Sequence, residues 1–185
     1  MRQDLPATAY ALLGLLTLGE EPVTGYELKQ RADSTLRFYW VSPAMSQIYS
    51  ELARLTERGL VAATSEQDGG REVTSYAITA AGREALHTWM ADTPAGFPVL
   101  KHSVCLRLLM GHAADPEGTV RMLEEYVEEC AAARADLQQV RDGLRGNDGP
   151  GQPFFHPSLV ADWGLDYFED EARHARHALD RLRED

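Results

Sequence analysis

One stretch limits the fold more than any other: Ser42 to Val61, SPAMSQIYSELARLTERGLV. It reads as a capped, amphipathic helix that stops at Gly59 and runs directly into a strand. Ser42 suits the N-cap and Pro43 the first helical position. Ile48, Leu52 and Leu55 fall at i, i+4 and i+7 and so share one buried face. Ser46, Ser50 and Ala53 point away from it, flanked by Gln47, Tyr49 and Arg54. That outer face is small, polar and nearly uncharged. A helix that only has to stay in solution more often carries Glu and Lys there. A slim face of amides and hydroxyls suits a DNA groove, because those groups bond phosphates and base edges.

The flanking sequence gives this helix a place in an order. Leu5 to Leu18 reads as a helix with Ala9, Leu12, Leu13 and Leu16 on one face and Gly19 behind it. Glu20 to Val23 reads as a loop. Thr24-Gly25-Tyr26-Glu27 fits a capping box, with Thr24 at the cap and Glu27 three residues on. The helix it opens is expected to run to about Asp33, and an aromatic linker, Leu36 to Trp40, follows. Beyond Gly59, Leu60 to Thr64 and Val73 to Ile78 read as strands around a turn-rich tip, Glu66 to Arg71. Two strands joined by a glycine-containing loop make a hairpin. Thr79 then caps a further helix through Trp89 and Met90. Helix, helix, helix, hairpin, helix is the order of a winged helix-turn-helix with a two-stranded wing.

Thr93 to Pro98, TPAGFP, marks a boundary, which divides the chain into domains at 1–92 and 93–185. Everything after it reads as helix: an apolar stretch from Val99 to Met110, a long helix from Asp115-Pro116 to about Arg145, and a last helix from about Ser158 to Arg183. Val120, Leu123, Val127, Cys130, Leu137 and Leu144 keep the three-four spacing of a coiled-coil seam, interrupted by Arg134 and Arg141. Ala161, Gly164, Phe168, Ala172, Ala175, Leu179 and Leu182 form a stripe on the last helix. Three helices alone cannot bury all these stripes, and pairing with a second copy is the simplest remedy. The fold class is therefore mainly α, a winged helix-turn-helix followed by an all-helical dimerisation domain.

Charge speaks against nucleic acid at first sight. The 185 residues carry 18 Lys and Arg against 29 Asp and Glu, a net charge of −11. The imbalance is uneven, with 8 basic and 12 acidic residues up to position 92 and 10 and 17 beyond it. An acidic body with a locally neutral face can still bind DNA, at the cost of weak non-specific affinity. The longest apolar run, near Ala9 to Leu18, is too short to span a bilayer. The N-terminus lacks the layout of a secretion signal, and two cysteines, Cys105 and Cys130, make no disulfide framework. A cytoplasmic protein with no membrane partner is expected.

The N-terminal half resembles the PadR family of bacterial transcriptional regulators. The resemblance is carried by YALLGLL in the first helix, GYEL at Gly25 to Leu28, SQIYSELARL at Ser46 to Leu55, RGLV at Arg58 to Val61 and SYAITAAGREAL at Ser75 to Leu86. The C-terminal half is similar in layout to the helical dimerisation region of the subgroup with a long C-terminal domain. The resemblance implies a homodimeric repressor that binds an inverted repeat in double-stranded promoter DNA and lets go when a small, often aromatic, effector binds. By position it assigns Tyr26, Ser42, Ser46, Gln47 and Tyr49 to the DNA, and Arg71 to the wing. The family wing reads Gly-Arg-Pro and basic residues before its tyrosine. Here it reads Gly70-Arg71-Glu72-Val73-Thr74-Ser75-Tyr76, so wing contact rests on Arg71 alone.

Each candidate also has an ordinary reading. Tyr49 either bonds a phosphate or flanks the core, Tyr26 is open to both packing and DNA contact, and Arg54 fits a phosphate anchor or a solvated flank. Trp163, Tyr167 and Phe168 suit an effector pocket or a dimer core. His102, Cys105 and His112, and again Asp170, His174 and His177, have helical spacing, but each set lacks the fourth ligand of a structural metal site. No phosphate loop, GxSxG or HExxH occurs, so neither an enzyme nor a resident cofactor is expected. Two rivals stay open at this point: a winged-helix module that docks on protein and never on DNA, and a small metalloprotein built on the helical half.

Overall fold

The structure is a computed structural model that describes residues 5–19, 21–68, 71–98 and 101–184, without the side chains at 68 and 71. The chain divides into two compact units that meet between Gly96 and Phe97.

In the first unit α1 (Ala7–Leu16) precedes β1 (Val23–Thr24), α2 (Gly25–Thr35), α3 (Met45–Glu57), β2 (Val61–Asp68), β3 (Arg71–Ile78) and α4 (Ala80–Asp92). The core is built from the periodic positions. Leu12, Leu13 and Leu16 of α1, Leu28 and Ala32 of α2, and Ile48, Leu52 and Leu55 of α3 are fully buried together. Tyr10 stacks on Trp89 with ring centroids 4.7 Å apart, which ties α1 to α4. At a scale of roughly 25 cal/mol per Å2 of apolar surface, burying such side chains is the main stabilising term.

The helix ends follow local chemistry. Thr24 and Glu27 close the expected capping box: the Glu27 amide donates to Thr24 Oγ1 at 3.2 Å, and the Thr24 amide donates to Glu27 Oε2 at 2.7 Å. α2 runs two residues past the expected Asp33, to Thr35. α3 ends in a Schellman turn, with Gly59 at φ +70°, the Leu60 amide on Leu55 O at 2.9 Å and the Gly59 amide on Thr56 O at 2.9 Å. Thr79 caps α4 by accepting from the Gly82 amide at 3.0 Å, and its hydroxyl donates to Gly59 O at 2.8 Å. The turn after α3 and the start of α4 are thereby one joint.

The start of α3 differs from the expectation. The helix begins at Met45, with Ala44 at the cap position, and Ser42 is not the N-cap. Gln47 supplies half a capping box alone, its Oε1 accepting the Ala44 amide at 3.0 Å. Ser42 is drawn away by α2: its hydroxyl donates to Asp33 Oδ1 at 2.6 Å and accepts from Lys29 Nζ at 3.3 Å. A charged partner outcompetes a backbone amide for the same hydroxyl.

The sheet also differs in detail. Val23, read as the end of a loop, and Thr24, the cap of α2, form a third strand, and the order is β1-β3-β2, all antiparallel. The hairpin is longer than the sequence suggested. β2 and β3 pair in register from Val61 with Ile78 out to Asp68 with Arg71. Among the described side chains of the wing, only those at its base, Val61 and Ile78, are buried; Ala62 to Gln67 are exposed.

The second unit holds α5 (Ser103–Leu109), α6 (Pro116–Gly143) and α7 (Phe155–Glu184). Asp115 caps α6, its carboxylate accepting the Gly118 amide at 3.1 Å. The apolar stretch from Val99 yields only the short α5, and residues 99 and 100 lie outside the described residues. α6 and α7 run antiparallel, as their cross-links show: Glu124 meets Arg183, Arg134 meets Glu169 and Arg141 meets Asp162. The two arginines that interrupt the seam thus hold the helix pair together from its edge. Arg141 also donates to Asp148 at 2.7 Å in the connection between the helices. Leu123, Cys130 and Leu137 of α6 are buried, as are Ala161, Ala172, Ala175 and Leu179 of α7.

Candidate nucleic-acid interface

α3 presents the face that the sequence singled out. Ile48, Leu52 and Leu55 hold it to the core, and Ser46, Gln47, Tyr49, Ser50 and Ala53 are exposed on the other side. Its first turn holds no acidic residue. The free ends of four backbone amides leave a helix start mildly positive, which suits a phosphate.

Each polar side chain on this face is constrained in its own way. Gln47 spends its carbonyl oxygen on the Ala44 amide, so its NH2 group is the part left to read a ligand. The Ser50 hydroxyl donates back to Ser46 O at 2.9 Å, which uses its proton within the helix and leaves its exposed oxygen as an acceptor. Arg54 donates to Glu51 at 2.7 Å and is half-buried, so it lies along the helix as a neutralised flank. Tyr49 is 47% exposed, with the outer edge of its ring against Gly25 at the start of α2. Tyr26, the next residue of α2, is 60% exposed. Burial, and after it the neighbouring Tyr49, push the Tyr76 hydroxyl above its ordinary pKa.

The structure therefore groups Tyr26, Ser46, Gln47 and Tyr49 on exposed surface of α2 and α3. It separates Ser42, which serves the Lys29–Asp33 pair and is half-buried. The hydrogen bond from Lys29, then that from Ser42, holds the Asp33 carboxyl below its usual range. Arg71 opens β3, and its side chain lies outside the described residues. Lys29 and Asp33 are an i,i+4 pair within α2, but nothing in the local sequence flagged Ser42 as their partner, because the turn between α2 and α3 brings it to them.

Of the three candidate effector residues, Phe168 alone lines the cavity found on this face among the described residues. Trp163 is 79% exposed and Tyr167 is 43% exposed. Phe168 is half-buried and lines an open cavity of about 260 Å3 with Cys130, Ala131, Arg134, Glu169, Ala172 and Arg176.

A polar cluster that the sequence did not announce sits nearby in the same unit. His102 caps α5 by accepting the Cys105 amide on Nδ1 at 3.2 Å, which leaves Nε2 to donate to Glu171 at 2.6 Å. The Tyr126 hydroxyl donates to the same Glu171 oxygen at 2.7 Å. Burial pushes the Glu171 carboxyl up, but the hydrogen bonds from His102 and Tyr126 together outweigh it, and the carboxyl settles below its ordinary value. Burial first, and the bond to Glu171 second, drive the Tyr126 phenol well above its usual range. In the sequence Glu171 closes the acidic run Glu169-Asp170-Glu171 beside the buried stripe of α7, and nothing there sets it apart from its two neighbours. Among the described residues, no three His, Cys, Asp or Glu side chains are arranged to hold a metal.

Comparison with known proteins gives a consistent result. Residues 12–88 match the Transcriptional regulator PadR-like family, and residues 100–183 match the Virulence activator alpha C-term family. The chain is 27% identical over 142 residues to the "Negative transcriptional regulator PadR" of Bacillus subtilis (strain 168), a match that covers 76% of each protein. The fold is similar to that of Bacillus subtilis PadR in complex with operator DNA, with a TM-score of 0.83 at 23% identity over 95% of this chain and 99% of that one. It is also similar to the Vibrio cholerae virulence activator AphA, with a TM-score of 0.73 at 24% identity over 95% and 97% of the two chains. Residues 12–88, the winged-helix unit, are therefore a domain of the PadR-like family of transcriptional regulators, a family of regulators and not of enzymes, and the helical second unit carries the Virulence activator alpha C-term match.

Proposed function

We propose that the protein is a cytoplasmic, homodimeric repressor that reads an inverted repeat in double-stranded operator DNA. The observation that carries this reading is the exposed, neutral outer face of α3, seated on a fully buried row beneath it. Gln47 and Ser46 are the groups for base edges and phosphates, and the Tyr49 and Tyr26 hydroxyls are the groups for the backbone. The operator complex of Bacillus subtilis PadR supports the choice of partner. Two copies of α3 related by a two-fold axis would lie in successive major grooves, about 34 Å apart. The apolar side chains left exposed on the second unit, Leu106, Leu109, Leu159 and Trp163 among them, support pairing with a second copy. Bacillus subtilis PadR has also been crystallised with p-coumaric acid, and the cavity beside Phe168 is where a small, flat effector would sit here.

The test is operator binding by Gln47→Ala and Tyr49→Ala. Both are expected to bind about ten-fold more weakly or worse while sedimenting as the parent does. Parental affinity in both variants rules out α3 as the reader. Salt separates DNA from a protein partner, since a DNA complex weakens as salt rises. An affinity that ignores salt favours the protein-docking module.

A further inference from the structure

Gly25 stands at the first position of α2, between the Thr24 cap and Tyr26. Its backbone does not need glycine, because it is not among the residues with positive φ. Helix propensity does not ask for glycine either, since alanine is the better helix former. Packing does ask for it. A Cβ at this position would lie 2.5 Å from Tyr49 Cε1, 2.9 Å from Cζ and 3.1 Å from the hydroxyl oxygen. Carbons in ordinary contact sit about 3.5–4.0 Å apart. The hydroxyl end of the Tyr49 ring therefore rests where the Gly25 side chain would be, and it is the missing Cβ that lets it rest there. Tyr76, which pairs with Val23 just ahead of the same turn, neighbours Tyr49 as well.

We propose that Gly25 is a positioning residue for Tyr49: its bare backbone is the seat that fixes where the reading helix presents that hydroxyl to the operator. This rests on the reading of Tyr49 as a DNA contact. Through this seat α2 sets the geometry of a residue on α3, and the Tyr49 hydroxyl stands beside the first residue of α2. A methyl group at position 25 would push the ring outward. Tyr49 is 47% exposed, so the ring has open solvent to move into and the fold survives.

The experiment measures operator binding by the full chain for Gly25→Ala, Tyr49→Ala and the double variant. Gly25→Ala is expected to cost about ten-fold in affinity, comparable to loss of one phosphate hydrogen bond. In the Tyr49→Ala background the same change is expected to cost nothing further, because the ring it displaces is gone. The salt slope of Gly25→Ala is expected to match the parent's, since a hydroxyl contact releases no counterion. Its Tyr49 ring resonances are expected to shift while its melting temperature does not fall.

Parental binding by Gly25→Ala, when Tyr49→Ala binds weakly, overturns the positioning role and leaves the DNA reading intact. Losses that multiply in the double variant also overturn it. Parental binding by Tyr49→Ala overturns the assignment of Tyr49 to the DNA, and this proposal with it.

Discussion

The two units bury themselves by different means. The N-terminal unit closes a single core from four helices and the base of a hairpin, with Leu12, Leu13, Leu16, Leu28, Ile48, Leu52 and Leu55 all fully buried. The C-terminal unit has two helices about three times as long as α1 and a smaller core, centred on Leu123, Ala175 and Leu179. It relies on polar joints: Arg141 on Asp148 and Asp162, and His102 and Tyr126 on Glu171. The lesson is about surface. A small domain with layered elements buries most of its apolar side chains wholly or in part, although Trp40, Val41 and Met90 stay exposed. A long helical hairpin buries fewer, and it leaves Leu159, Val160 and Trp163 in solvent.

The contrast breaks most decisively at the core of the first unit. Leu52→Ala is expected to cost about 2–5 kcal/mol in urea denaturation, the range for truncating a well-packed leucine. Hydrogen exchange would assign that loss to residues of the first unit. Equal loss of protection along α6 and α7 would mean that the units do not unfold as separate bodies.

Glu171→Ala sharpens the other side. It leaves the His102 and Tyr126 donors without their acceptor, at an expected cost of about 1–3 kcal/mol confined to the second unit. The pH dependence has a definite sign. The folded Glu171 carboxyl lies below its ordinary value. Its contribution is therefore complete above the usual glutamate range, near ~4.3, and drains away as pH falls through the lowered folded value. Parent and variant stability curves should converge in acid below that range. Curves that stay parallel would mean that the carboxylate is not what holds the cluster.

Ser42→Ala is expected to have the smallest effect, about 0.5–1.5 kcal/mol for one hydrogen bond. Its distinguishing feature is location. The loss should appear in the turn between α2 and α3, with the amides at the start of α3 protected as in the parent. Fraying at Met45 to Ile48 would restore Ser42 as the true cap.

Much of the fold was legible because its signals are local. The Thr24–Glu27 box, the Gly59 stop, the Thr79 cap and the buried row of α3 depend on residues three or four apart, which the helix itself brings together. The exposed face of α3 was legible for the same reason, as the complement of that row. What was missed depends on partners remote in the chain. Val23–Thr24 is a strand only because β3 offers an open edge. Ser42 fails as a cap because Asp33 and Lys29 reach it first. Trp163 and Phe168 share a helix, yet one stands in solvent while the other lines a cavity.

The sequence alone therefore determined the order of the helices and the hairpin, the Gly59 stop and the face that α3 turns outward, since each follows from periodicity and short-range hydrogen bonding. Only the tertiary structure decided how that face is used. It drew the Ser42 hydroxyl at the approach to α3 onto Lys29 and Asp33 of α2, and set Tyr49 on the bare backbone of Gly25. The physical reason is that a side chain's free hydrogen-bonding groups are those its neighbours leave unused, and those neighbours are chosen by packing between elements.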